Sequence, residues 1–211
     1  MNRRTLGHLL TASLSLALLA SAPFVRAAEE APDALIKRVS AEVLDNIKSD
    51  KGVQSGDMAK VIALVDSKVM PHVNFTRMTA STVGRSWRQA TPEQKKRLQE
   101  EFKTLLIRTY SGALSQVKDQ TLNVKPLRAA PTDTEVLVRT EVLGHGEPVQ
   151  LDYRMEKTPT GWKIYDFDVL GIWMVETYRT QFAQEINAKG IDGLIASLAQ
   201  RNKANAGDQK S

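Results

Sequence analysis

At 211 residues, 42% of them hydrophobic, the chain is long enough for one domain with a substantial core. It contains no cysteine, which excludes a disulfide framework and thiol catalysis. Its 29 basic residues against 24 acidic ones give a net charge of +5, too small a surplus to point to nucleic acid.

The chain opens on Arg3 and Arg4, then "LLTASLSLALLA" (residues 9–20), then "SAPFVRAAEE". A basic start, a short apolar run and a small-residue exit predict a secretory signal peptide over residues 1–27, cut after Ala27. The apolar run falls short of the roughly 20 residues that a spanning helix needs. The paired arginines fit either the general secretory route or the twin-arginine route. Loss of Arg3, Arg4 and Arg26 from the 29 basic residues leaves 26 against 24, a net of +2. An exported, soluble protein is the expectation.

Residues 28–203 are expected to form one domain, and residues 204–211 a disordered polar tail. Leu35, Ile36, Val39, Val43, Leu44 and Ile47 recur at helical spacing behind Asp33, a candidate cap. "DMAKVIALVDSKVM" reads as a second helix stopping before Pro71, and Asn74 is placed to cap a third, "FTRMTASTVG". The strongest helix signal is "TPEQKKRLQEEFKTLLIRTYSGALSQV", where Thr91 caps, Pro92 takes the first turn and Gln94 completes a capping box. Four segments with period-two alternation follow: "TLNVKPL", "TEVLVRTEVL", "PVQLDYRMEK" and "WKIYDFDVL". The short Gly- or Pro-rich links between them suit antiparallel neighbours. Helices from about Ile172 to Ala188 and from Ile191 to about Asn202 close the chain. This order predicts an α+β fold, a twisted antiparallel sheet of about four strands wrapped by several helices.

Motifs for chemistry are scarce. His72 and His145 stand far apart with no HExxH, which argues against a metal site. No phosphate loop, dinucleotide fingerprint or GxSxG elbow occurs. Asp166 and Asp168 remain, set in "GWKIYDFDVLGIWMVETYRTQF" (residues 161–182). Alternation puts them on one strand face with Trp162 and Ile164, opposite Tyr165, Phe167 and Val169. In an apolar pocket, desolvation would raise such a carboxyl and make it a general base, as in an isomerase or hydratase. On the polar side of the last strand they would be structural, which avoids burying two like charges. The large side chains around them exceed what one core stripe needs, so a cavity between sheet and helices is expected.

The stretches "MPHVNFTRMTASTVGRSWRQATPEQKKRLQEEFKTLLIRTYSGAL" and "LDYRMEKTPTGWKIYDFDVLGIWMVETYRTQFAQEINAKGIDGLI" resemble the MlaC, or toluene-tolerance, family of periplasmic phospholipid-binding proteins. The resemblance spans about residues 32–203. Its markers are Pro71-His72, Phe75, Gly84-Arg85, Trp87-Arg88, Gln94, Phe102, Tyr110, Gly161-Trp162, Gly171, Tyr178-Arg179, Phe182 and Gly190-Ile191-Asp192. Asn74 stands where the family often has aspartate, a change that keeps the capping role and removes an acid. The resemblance implies a non-enzymatic periplasmic carrier with no cofactor beyond its phospholipid cargo. It would exchange lipid between an outer-membrane lipoprotein–porin complex and an inner-membrane ABC transporter complex with a ring-forming lipid-binding subunit. Two exposed chains of sixteen carbons represent roughly 25 kcal/mol of hydration penalty at about 0.8 kcal/mol per methylene, so such a carrier needs an enclosed cavity. Phe102, Leu106, Tyr110, Leu151, Tyr153, Met155, Ile172, Val175 and Phe182 are the expected lipid contacts, and Arg85, Arg88 and Lys95 the expected partner-docking rim.

Overall fold

The computed structural model describes residues 29–115, 117, 119–144 and 146–208; the expected signal peptide (1–27), His145 and the last residues of the expected tail (209–211) lie outside them. Helix α1 (Pro32–Ser49) has Ala31 at its cap with no side-chain bond. Asp33 therefore acts within the first turn, by charge at the helix N-terminus, and not as the cap. Short α2 (Lys51–Gln54) is capped by Asp50, and α3 (Met58–Leu64) by Asp57. The second helix expected to reach Met70 does not hold its pitch. Val65–Val69 widen into a π turn, in which Met70 N–H donates to the Val65 carbonyl, and Met70–His72 tighten into a 3-10 turn.

Asn74 caps α4 (Phe75–Val83), accepting from the Arg77 N–H at 3.0 Å. A 3-10 turn over Gly84–Arg88 leads into α5 (Pro92–Ser115). Its capping box is formed reciprocally: Gln94 N–H donates to Thr91 Oγ1 at 3.2 Å, and Thr91 N–H to Gln94 Oε1 at 3.0 Å.

The described residues then form β1 (Thr121–Val124), β2 (Glu135–Val138), β3 (Thr140–Leu143), β4 (Val149–Thr158), β5 (Gly161–Val169) and β6 (Ile172–Trp173). They pair antiparallel in the order β1-β3-β4-β5-β6, with β2 also on β4. The fold class is α+β as expected, with six strands where about four were counted. The single strand expected over 134–143 breaks at Arg139, so β2 pairs with the far half of β4 and β3 with its start. Ile172 and Trp173, expected in a helix, reverse onto β5 instead. Leu170 (φ 55°) and Gly171 (φ 84°) both take positive φ, as a tight two-residue hairpin turn requires. Helix α6 (Met174–Asp208) is interrupted at Gly190 (φ 72°), the break expected from sequence, and it carries residues 204–208 along as helix where a tail was expected.

One irregularity reassigns a whole face. Arg154 pairs with Asp166, but Met155 pairs with Ile164, so Tyr165 is an extra residue bulged out of β5. A bulge inverts the inside–outside parity of everything beyond it. Ile164 therefore shares a face with Phe167 and Val169, and not with Asp166 and Asp168 as strict alternation predicted.

Among the described residues, the buried apolar side chains form three clusters. Leu98, Phe102, Leu105, Val175, Tyr178, Phe182 and Leu198 pack α4, α5 and α6 together. Leu35, Ile36 and Val39 of α1 cover Val136, Val138, Met155 and Ile164 of the sheet. Ile47, Val53, Val61, Leu64 and Ile107 join α1, α2, α3 and α5. Domains usually have one contiguous core. Here three surround a gap.

Candidate functional site

The gap is an apolar cavity of about 290 Å³. Its floor is the inner sheet face, Leu151 and Tyr153 from β4 and Ile164 and Phe167 from β5. The bulge at Tyr165 is what lets both β5 residues point inward. Its roof is one stripe of α5, Lys103, Leu106, Ile107 and Tyr110, at positions three and four apart. Phe75 and Met78 of α4 and Val65, Val69, Met70 and Val73 of the π and 3-10 turns close the sides. The turns are pinned to the sheet where Asn74 N–H donates to the Ile164 carbonyl at 2.8 Å.

Polar tips in the walls are directed away from the space. The Tyr110 hydroxyl lies 2.9 Å from Met174 Sδ, and its ring meets Phe167 edge-on at 6.1 Å. The Tyr153 hydroxyl bonds with Ser40 on α1, and burial pushes its ionisation well above the ordinary phenol range. Both tyrosines thus present carbon to the cavity and stay uncharged.

Of the nine residues expected to contact lipid, Leu106, Tyr110, Leu151 and Tyr153 line this cavity. The other five do not. Phe102 is fully buried between Phe75, Tyr178 and Phe182, with ring centroids 5.1–5.7 Å apart, so Phe102 and Phe182 are close-packed seam. Val175 belongs to the same cluster, and Met155 is sealed between α1 and the sheet. Ile172 sits in β6 and is 54% exposed. The wall residues missed were Val65, Val69, Met70 and Val73, whose spacing follows the π turn and not a regular helix, together with Ile164 and Phe167.

The acids lie on the opposite sheet face and are nonetheless buried, Asp152 at 4% exposure and Asp166 and Asp168 at 1%. Each holds a change of chain direction. Asp152 Oδ1 accepts the Thr140 N–H at 2.9 Å, satisfying the backbone where β2 breaks into β3. Asp168 Oδ1 accepts the Gly171 N–H at 3.0 Å and fixes the β5–β6 turn. Asp166 Oδ1 accepts the Val175 N–H at 3.0 Å, a remote cap for α6, while Oδ2 takes Arg154 Nη1 at 2.9 Å. Burial pushes the Asp166 carboxyl up, against the pull of the Val175 N–H, Arg154 and the Phe167 N–H. The general-base reading needs these acids in the apolar pocket, and the geometry places them behind its floor.

Arg85, Arg88 and Lys95 are brought to one corner, on the 3-10 turn and the first turn of α5, where the Lys95 ammonium stands 5.6 Å from the Trp87 ring centre. Among the described residues, no group of three or more His, Cys, Asp or Glu is placed to hold a metal, and no helix is long and apolar enough to cross a membrane.

An open sheet wrapped by helices around an apolar chamber defines a class, a binding protein with an interior site for an apolar ligand. The family model described as "MlaC protein" matches residues 37–200, and the chain belongs to that family. It is 27% identical over 197 residues to the toluene tolerance protein ttg2D of Pseudomonas putida, covering 90% of this chain and 91% of that one. It is 22% identical over 177 residues to the intermembrane phospholipid transport system binding protein MlaC of Haemophilus influenzae, covering 82% and 83%. A solved structure of a phospholipid-binding protein from Ralstonia solanacearum, in complex with a phospholipid, is similar at a TM-score of 0.81 and 48% identity, over 82% of this chain and 98% of that one.

Proposed function

We propose that the chain is a periplasmic phospholipid carrier. It is exported by the signal peptide at residues 1–27 and holds acyl chains in the cavity of a single domain over residues 28–203. The observation that carries this is the apolar chamber between α5 and the inner faces of β4 and β5. The chain also shares 48% of its residues with a protein solved with phospholipid bound. The same reading makes the outer-membrane lipoprotein–porin complex and the inner-membrane ABC transporter complex its partners. The chain carries out no chemistry on the lipid: the acids that would act as base sit behind the cavity floor, engaged by backbone N–H groups and Arg154.

Transfer by such a carrier works because moving acyl chains from bilayer to cavity exchanges one apolar surrounding for another, so neither uptake nor release is steeply downhill. A volume of about 290 Å³ is at the lower edge for ligand sites, which run roughly 300–1,000 Å³. Two long chains therefore need the walls to move apart, and the π turn is the wall held least by regular helix or sheet bonding. Protein purified from a bacterial periplasm should yield stoichiometric phospholipid on organic extraction and lipid mass spectrometry. Protein that is folded and lipid-free from that source would sink the reading.

A further inference from the structure

Among the described residues lining the cavity, Lys103 alone carries a charge. It stands at the outer end of the α5 stripe, its side chain 29% exposed, and its ammonium donates to Asp66 Oδ1 at 2.8 Å. Asp66 belongs to the π turn, next to the wall residue Val65 and three residues before Val69. A lysine in an apolar wall lays its methylenes along that wall and carries its ammonium to water. Lys103 thus marks the place where the cavity opens, and its bond to Asp66 ties the two elements on either side of that opening.

Resting on the carrier reading above, we propose that Lys103 recognises the phosphodiester of the bound lipid, and that Asp66 occupies its place in the empty protein. A lipid whose chains fill the cavity leaves its glycerol at the opening and its phosphate just outside, within reach of a four-carbon side chain. The phosphodiester carries one negative charge with acceptor oxygens, the same demand that the Asp66 carboxylate makes on Lys103. Exchange of one anion for the other leaves the ammonium paired in both states. A half-exposed ion pair contributes little to stability, so the exchange is nearly balanced. It also unties α5 from the π turn, which is the movement that two acyl chains require. The ammonium is a compact point charge, and it contacts the phosphate that all phospholipids share without reading the group beyond it. That leaves headgroup identity unread.

The test uses delipidated full chain, incubated with small phosphatidylglycerol vesicles or with diacylglycerol of the same acyl chains, and reads bound lipid by native mass spectrometry. Lys103→Met keeps the apolar stem and removes the charge. It should bind phosphatidylglycerol about tenfold less well than the parent, the loss expected for one charge-assisted contact. Its binding of diacylglycerol, which has no phosphate, should be unchanged. Asp66→Asn should bind phosphatidylglycerol more tightly than the parent, and Asp66→Asn combined with Lys103→Met should match Lys103→Met alone. Equal loss of both lipids in Lys103→Met would make Lys103 a wall strut, and full retention of phosphatidylglycerol would remove it as a contact; either overturns the proposal. Competition by excess inorganic phosphate that matched the vesicles would reassign the site to the free anion. Failure of the parent chain to take up either lipid would instead count against the carrier reading.

Discussion

Helix α5 presents two adjacent apolar faces, and they are packed to opposite ends. Leu98, Phe102 and Leu105 meet α6 in a seam closed by interlocked rings, with Phe102 and Leu98 fully buried. One step around the same helix, Leu106, Ile107 and Tyr110 look across an open space to Leu151, Tyr153 and Phe167. The side chains are alike in kind, so hydrophobicity does not distinguish the faces. What differs is what stands opposite. The seam faces a helix that brings a side chain into every hole, whereas the cavity faces a twisted sheet and a π turn that do not follow the curvature of α5. A protein of this kind needs both: the closed seam fixes α5, and the fixed α5 keeps the open side from collapsing.

The largest effect that separates the two faces is on stability. Phe102→Ala removes the central ring of the seam and should cost about 3–5 kcal/mol in denaturant unfolding, as for other buried Phe truncations. A cost below about 1 kcal/mol would place Phe102 in a compliant, cavity-like environment.

The next effect is on cargo. Leu151→Trp and Leu106→Trp add bulk into space that is open, and should change stability by less than about 1 kcal/mol, where overpacking a close-packed core costs 1–3. Lipid recovered by organic extraction should fall to a small fraction of the parent's. Variants that unfold would turn the cavity wall into core, and folded variants with full lipid would move the site elsewhere.

How much of this was legible follows from which signals are local. Thr91 and Gln94 announced the start of α5 because a capping box is complete within four residues, and Gly190 announced the break in α6. The cavity wall was half legible. Leu106, Tyr110, Leu151 and Tyr153 follow from regular periods, and they do line it. Phe102 and Phe182 follow from the same periods and lie in the seam, because a period gives a face and not its neighbour. Ile164 was misassigned because a bulge at Tyr165 shifts parity without any Gly or Pro to flag it. Val65 and Val69 were hidden by a π turn that a helical wheel averages away. The acids looked like a catalytic pair since their N–H partners at Gly171 and Val175 are set by tertiary folding.

The two faces of the sheet make the same contrast in electrostatics, and Asp166 gives it a sign. Burial lifts its carboxyl in the folded protein. A folded value above the unfolded one means that the folded state holds the proton more tightly. Stability then falls as pH rises from the ordinary carboxylate range through the raised value, and levels off above it. Asp166→Asn cannot titrate. Melting temperatures of the parent should therefore decline relative to those of Asp166→Asn across that window and run parallel beyond it. If the parent instead gains on the variant as pH rises, the bond to Arg154 outweighs the burial of the charge.

The smallest effect belongs to the corner where the seam reaches the surface. Arg85, Arg88 and Lys95 sit beside Trp87 at the start of α5, on the far side of the seam from the cavity residues named above. Exposed charges of this kind change stability by no more than about 0.5 kcal/mol, so their role is to be read in rates. If this corner is where a partner docks, its charges steer encounter over a Debye length of about 8 Å at physiological salt and lose that effect as salt rises. Reversal of Arg85 and Arg88 to glutamate should leave the melting temperature and the lipid content of the purified protein unchanged. It should slow lipid handover to membranes carrying the inner-membrane complex at low ionic strength, and the difference from the parent should vanish in high salt. A handover rate indifferent to both reversal and salt would show that docking uses another surface. Loss of lipid from the reversed variant would mean that the corner and the cavity are one site, and the division of α5 into a closed face and an open one would not hold.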